Sequence, residues 1–359
     1  MNCIIAGTGK MALNIGLFYM KEGVNVLWIS RSRDRIQEFK KKTSRKAGQI
    51  FAARAEYLSM DEPDCALKIK SFNPDLIIES TAEDLYQKQR TAEILTAIAG
   101  KDVPYLSNSS SFFPSDIHLE CTGFHFFYPV ELTGMVEIIF HDASKNTART
   151  FLPEHARSVN LTPVLQEANS AFSINRLLLP LQAEAFRLLA DGVSPERVNE
   201  ISAHKLCNFG QIYLMESIGI NTLFKAVTNY IKKFKLPADD YKILVDGLSG
   251  LAGTNAGACQ NPIQRHFKTA SAECDIQDKT EEAFFPLFVN NCVNFINQKY
   301  FTMHTVDAVC KNIFFADLKF SEVLAGEDLG MMIRVLSRMY EKTGLTYFNP
   351  EPVRNFAKM

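Results

Sequence analysis

Apolar and polar positions divide this chain into two regimes. In the first half, short apolar runs of strand length alternate with stretches of helical period. The runs are Cys3-Ile4-Ile5-Ala6, Val24 to Ile29, Pro74 to Glu79, Val103 to Leu106, the stretch from Gly123 to Ile139, and Leu161 to Leu165. Helical patterns run to about Lys21 and from about Tyr86 to Ala99. Uninterrupted apolar runs separated by helices are the pattern of a parallel sheet covered on both faces. After Leu165 the period changes. Ala171 to Pro180 leads into a long apolar helix through about Ala190, and Asp191-Gly192-Val193-Ser194-Pro195-Glu196 ends that helix and caps the next. The remainder reads as helix and repeats itself: Leu179 to Gly219 resembles Phe285 to Gly330. Each copy has a long apolar helix, a Ser/Thr start (Ser194; Thr302 or Thr305), a second helix with an acid (Glu200; Asp307) and a late glycine. The expected division is 1–168, 169–275 and 276–359. The segment from about Pro237 to Thr280, rich in Gly, Ala, Asn and Asp, reads as the most mobile linker.

Composition narrows the function classes. The chain has 359 residues, 47% hydrophobic and 22% charged, with a formal net charge of −1. That is a soluble globular balance with no global field toward nucleic acid or a membrane surface. None of the eight cysteines falls at CxxC spacing, so no zinc or redox motif is signalled and no metal is expected. Free thiols and the lack of a basic leader with an apolar core point to a cytoplasmic protein. No apolar run approaches the ~20 residues of a membrane span.

Chemistry enters at six places. Gly7-Thr8-Gly9-Lys10-Met11-Ala12 is a GxGxxA loop between the first strand and its helix, with a second strand at βαβ spacing. Two glycines allow a tight turn and close approach to a pyrophosphate, which sits on the helix N-terminus. The first domain is therefore expected to be a Rossmann dinucleotide-binding domain, and the fold class α/β followed by an all-α domain of two related helical units. The second strand ends Ile29-Ser30-Arg31-Ser32-Arg33, without the acid that usually holds a ribose 2′-hydroxyl. Hydroxyls and arginines suit a 2′-phosphate, which favours NADP(H) over NAD(H); a solvated basic loop is the alternative. The run Lys40-Lys41-Lys42 with Arg45 and Lys46 reads as a solvated face, or as a surface for the phosphates of coenzyme A or an acidic carrier protein. The serines of Ser107-Asn108-Ser109-Ser110-Ser111 lie at a strand's carboxyl end, suited to a substrate oxygen or to capping and turn chemistry. Most telling is His125, set in Gly123-Phe124-His125-Phe126-Phe127-Tyr128-Pro129, with Glu137 twelve positions later inside another apolar run. A carboxylate on the far nitrogen of a histidine fixes its tautomer and prepares it to move a proton. Asn175 is an amide in a mostly apolar run, which needs a helix partner or a substrate.

Together these segments resemble the 3-hydroxyacyl-CoA dehydrogenase family, in order and over nearly the whole chain. The resemblance rests on Gly7 to Ala12, Ile78-Glu79-Ser80 with Glu83-Asp84-Leu85 and Lys88, Ser107-Asn108-Ser109-Ser110, His125-Phe126-Phe127 with Pro129-Val130, Val136-Glu137, and Asn175-Arg176-Leu177-Leu178 with Pro180. The duplicated helical unit is similar to the longer members. The resemblance implies reversible hydride transfer between C3 of a 3-hydroxyacyl thioester and the nicotinamide. His125 matches the catalytic base and Glu137 its orienting carboxylate. Ser110 matches the serine on the reacting oxygen, and Asn175 the substrate-site asparagine. Glu83, Lys88 and Asn108 are expected on the cofactor surface with Gly7, Thr8, Gly9, Lys10, Met11, Ser30, Arg31 and Ser32.

Four departures touch the substrate and cofactor surfaces. Tyr128 replaces an asparagine after His-Phe-Phe, Asn169 to Phe172 replaces Thr-Pro-Gly-Phe, Asn208 to Gln211 replaces Pro-Met-Gly-Pro, and Ser30 replaces the ribose acid. The base and carboxylate survive. The expectation is retained chemistry on a shifted acyl thioester of coenzyme A or an acyl carrier protein, with Tyr128 in the substrate site. Rival readings are a dehydrogenase of a small free hydroxy acid or other alcohol, and a dinucleotide-binding partner protein that has lost turnover. A monomer or homodimer is expected; the second helical copy argues against an obligate dimer.

Overall fold

The computed structural model describes residues 1–206, 209–252, 261–267, 283–316, 318–326 and 328–353, with only the backbone described for 46–52. Cys207, Asn208, Cys259, Cys274 and much of the expected linker lie outside the described residues. The chain divides into two compact units, Met1–Phe172 and Ser173–Met359.

The first unit holds one eight-stranded sheet. Its strands are β1 (Asn2–Ala6), β2 (Asn25–Ser30), β3 (Ala55–Ser59), β4 (Leu76–Glu79), β5 (Tyr105–Ser107), β6 (Cys121–Phe126), β7 (Met135–Ile139) and β8 (Thr162–Gln166). Their spatial order is β3-β2-β1-β4-β5-β6-β7-β8. Every neighbouring pair is parallel except β6 and β7. The connections carry α1 (Lys10–Lys21), α2 (Arg33–Ala52), α3 (Cys65–Phe72), α4 (Leu85–Ala99), α5 (Pro114–Ile117), α6 (Val130–Thr133) and α7 (Asn146–Ser158). Alternate residues of the central strands feed two cores. Ile5, Trp28, Ile78 and Phe124 belong to one, Ile4, Leu27, Ile77 and Tyr105 to the other. This is why the central strands read as continuous apolar runs. The sequence pattern passes over β3, which lies at the sheet edge, is half exposed and carries Glu56 outward. With only one neighbouring strand and Glu56 left to solvent, it needs no continuous apolar run. The chain leaves β1 for β2 and β3 on one side and returns to β4 on the other. A crevice opens where that order reverses, at the carboxyl ends of β1 and β4.

The described residues of the second unit form helices joined by turns and short loops. Its helices are α8 (Ser173–Leu177), α9 (Leu179–Ala190), α10 (Pro195–Ala203), α11 (Gln211–Ile218), α12 (Ile220–Phe234), α13 (Lys242–Ala252), α14 (Pro262–Phe267), α15 (Phe284–Asn297), α16 (Met303–Asn312), α17 (Phe320–Ala325) and α18 (Leu329–Thr343). The single long helix expected through Ala190 is broken at Leu178 into α8 and α9. Pro180 has no N–H to continue an earlier turn and is accommodated in the first turn of a new helix. Ser194 caps α10 by accepting from Arg197 N at 3.2 Å, and Thr302 caps α16 by accepting from Thr305 N at 3.1 Å. Part of the expected linker is helix: α13 packs on α9, and a Cβ on Gly247 would lie 2.3 Å from the Phe186 ring. Glycine there serves close packing. No helix among the described residues is long and apolar enough to cross a membrane. Cys3, Cys65, Cys121, Cys292 and Cys310 are free and buried.

Candidate active site

Antiparallel pairing of β6 with β7 builds the centre of the site. Phe124 and Phe126 on β6, with Val136 and Ile138 on β7, fill one core. The residues between them, His125 and Glu137, are register partners. Directly opposed residues of an antiparallel pair project from the same face, so the two side chains meet. His125 Nδ1 lies 2.7 Å from Glu137 Oε2. His125 is 6% exposed and Glu137 fully buried. A buried carboxylate is tolerated only with donors around it, and Gln166 at the end of β8 donates from Nε2 to Glu137 Oε1 at 2.6 Å. The imidazole is walled by the rings of Phe127 and Phe172, at 4.7 and 5.9 Å between centroids. Gln166 is missing from the sequence reading. It stands one residue past the strand expected at Leu161 to Leu165, and nothing local marks it.

The glycine loop lies at the carboxyl end of β1. Gly7 has φ +137°, and a Cβ there would stand 2.2 Å from Ser80 O. Only glycine fits that turn. Gly9 is the residue before α1, and open space surrounds the position of its missing Cβ. The helix N-terminus is thus bare for an anion. A cleft of about 450 Å³ adjoins this turn, lined by Gly7, Thr8, Gly9, Ser30 and Arg31 among others. These features fit a dinucleotide: a backbone cradle, an uncovered helix start and a crevice at the switch point of the sheet.

The other expected cofactor residues are placed differently. Lys10 sets its ammonium 3.5 Å from the ring centroid of Tyr128, and Met11 packs against the core. Ser32 N donates to Ser30 Oγ at 3.4 Å. Arg33 is turned to Asp61 at 3.3 Å. Asn108 is a bracket, accepting from Phe126 N at 2.9 Å and reaching Ser80 Oγ at 3.4 Å. Lys88 is 1% exposed and paired with Glu79 at 3.0 Å and Glu83 at 3.1 Å. Burial pulls the ammonium pKa down, but the two carboxylates outweigh it and the net shift is upward. For Glu83, burial raises the carboxyl pKa, yet Lys88 and the hydroxyls of Ser109 and Ser111 hold it below its ordinary value. Those hydroxyls each lie 2.6 Å from Glu83 Oε1, and Ser107 Oγ lies 2.7 Å from Glu79 Oε2. Turn chemistry, one of the two alternatives read for the serine run, is present: Ser107 Oγ accepts from Ser109 N at 3.2 Å, and Ser109 Oγ from Ser111 N at 3.3 Å and Phe112 N at 2.9 Å. The same hydroxyls, with that of Ser111, also satisfy the two carboxylates. Ser110 is half-buried beside them.

Tyr128 is 47% exposed. Asn175 belongs to the second unit, where its part-buried amide donates to the Tyr230 hydroxyl on α12 at 3.2 Å, a helix–helix bond.

Residues 2–169 match the family model described as 3-hydroxyacyl-CoA dehydrogenase, NAD binding domain. Among solved structures, 3-hydroxybutyryl-CoA dehydrogenase from Escherichia coli aligns at 15% identity over 100% of this chain and 98% of its own, with TM-score 0.72. The dehydrogenase part of a multifunctional enzyme from C. elegans aligns at 18% identity over 99% of this chain and 88% of its own, with TM-score 0.61. (S)-3-hydroxybutyryl-CoA dehydrogenase from Ralstonia eutropha covers 71% of this chain and 94% of its own at 21% identity and TM-score 0.60. Residues 2–169 are thus similar to the NAD-binding domain of that family, and these solved structures share the fold at identities of 15–21%.

Proposed function

We propose, from the match of residues 2–169 to the 3-hydroxyacyl-CoA dehydrogenase NAD-binding domain, that this protein interconverts a 3-hydroxyacyl and a 3-oxoacyl thioester with a nicotinamide dinucleotide. The observation that carries the proposal is the buried His125–Glu137 contact at 2.7 Å. With Glu137 accepting from Nδ1–H, Nε2 of the imidazole is the nitrogen left to take a proton. In oxidation His125 Nε2 removes the proton of the 3-hydroxyl, and in reduction it returns it. Glu137 stabilises the imidazolium, and Gln166 keeps the carboxylate from turning. Phe127 and Phe172 keep water from the base. The cofactor, held by the Gly7–Gly9 turn and α1, supplies the hydride chemistry. Ser110 is assigned the reacting oxygen and Glu83 the nicotinamide side. The acyl carrier is coenzyme A or an acyl carrier protein. NADP(H) is favoured, because Ser30 stands where a ribose-binding acid would repel a 2′-phosphate, and Arg31 lines the same cleft.

The test is absorbance-monitored oxidation of NADPH and NADH with acetoacetyl-CoA. Turnover is expected, and His125→Asn should lower it about 10²–10⁴-fold while cofactor binding persists. A His125→Asn protein at full rate would end the assigned mechanism. Binding of cofactor without turnover of any acyl thioester would leave the free hydroxy acid or inactive-partner reading.

A further inference from the structure

Helix α2 places a second set of charged side chains on the cleft. Arg35, Glu38, Phe39 and Lys42 all line it, together with Arg31 and Gln87. The four helix residues follow i, i+3, i+4, i+7 spacing, which puts them on one stripe. The stripe is sorted. Phe39 is buried in the core, whereas Arg35, Glu38 and Lys42 are exposed. Neighbouring cations are committed elsewhere: Arg33 bridges to Asp61, and the Lys40 ammonium lies 5.6 Å from the centroid of the Tyr57 ring. Arg31 is anchored. Its Nη2 donates to Gln87 Oε1 at 2.7 Å, and Gln87 N in turn donates to Asp84, the cap of α4. The rim therefore carries three cations against one carboxylate, beside a strand end occupied by the small hydroxyl of Ser30.

We infer that Arg31, Arg35 and Lys42 form a phosphate-monoester subsite for the 2′-phosphate of NADP(H), with Gln87 as the residue that positions Arg31. The inference rests on the reading of the cleft as a dinucleotide site. Each side chain has a distinct part. Arg31, held by Gln87, presents its guanidinium at the end of β2 without rotamer search. Arg35 and Lys42, a turn apart on either side of Phe39, supply charge from the helix. Glu38 shares the stripe and opposes the phosphate, so it has the opposite sign in a mutational series. A ribose carrying only hydroxyls gains nothing from the three cations.

The experiment is fluorescence titration of the full-length protein with NADPH and NADH, with competition by adenosine 2′,5′-bisphosphate and 5′-AMP. The wild type is expected to prefer NADPH and the bisphosphate. Arg35→Gln and Lys42→Gln should each reduce that preference by about ten-fold, the scale of one charge-assisted hydrogen bond. Gln87→Ala should reduce it less, and Glu38→Gln should increase it. Equal affinity of the wild type for the two cofactors overturns the subsite and leaves the dinucleotide reading standing. So does a series in which every variant changes both affinities in the same proportion. A protein that binds neither cofactor overturns both.

Discussion

One buried histidine outside the proposed site, His155, contributes to the acid sensitivity of the first unit. His155 on α7 is 4% exposed, its Nε2 lies 2.9 Å from the Tyr19 hydroxyl, and Phe151 stacks on it at 5.6 Å. Burial drives its pKa down to about 4, against a smaller upward pull from Asp75. In the unfolded chain it titrates near 6.5. Stability from this group is complete above the unfolded value and falls as pH drops from about 6.5 toward about 4, because the unfolded chain takes the proton first. The gap corresponds to roughly 3 kcal/mol. Denaturant unfolding of wild type and His155→Phe at pH 7 and pH 4.5 is the check. The wild type should lose more on acidification, and parallel losses would show that His155 is not held neutral.

Elements, rather than residues, bring the dinucleotide loop and the histidine strand into one framework. Helix α1 begins at the glycine loop and lies close to β2, and a Cβ on Gly16 would stand 2.1 Å from the Trp28 ring. Trp28 also donates from Nε1 to Ala12 O at 3.1 Å. The helix reaches the segment after β6 twice, through Lys10 on Tyr128 and through the ion pair of Lys21 with Glu131. Replacing Gly16 with Ala overfills this contact, and overpacking of this kind costs about 1–3 kcal/mol. The expected result is a lower midpoint in thermal unfolding with weaker binding of both cofactors, since the loop moves with the helix. Unchanged stability would mean that Trp28 yields without moving α1.

At the scale of the molecule, both expected helical copies fall within the compact unit Ser173–Met359, where α9 packs on α15. A chain that supplies both copies has less need of a second subunit to cover them. We therefore expect a monomer, tested by light-scattering mass in solution across a concentration series; a stable dimer at low concentration would count against it. The proposed chemistry is expected to survive dilution for the same reason.

The sequence alone determined the strand-forming runs of the central sheet, the glycine turn, the absence of an acid from Ser30 to Arg33 and the pairing of His125 with Glu137. Each is local: a run of apolar residues, a φ that only glycine adopts, or a polar residue alternating with core aromatics. Gly7 and His125 were legible on those grounds. Edge strand β3, the hydrogen bond from Gln166, the serine–carboxylate network around Lys88 and the α2 stripe facing the cleft were decided by tertiary structure. Gln166 reaches Glu137 from a neighbouring strand, and Lys88 is neutralised by carboxylates brought in from the end of β4 and the turn before α4. Such partners are set by strand order and helix rotation. An amide at the end of a strand, or a lysine in a polar helix, shows nothing of them in the linear pattern.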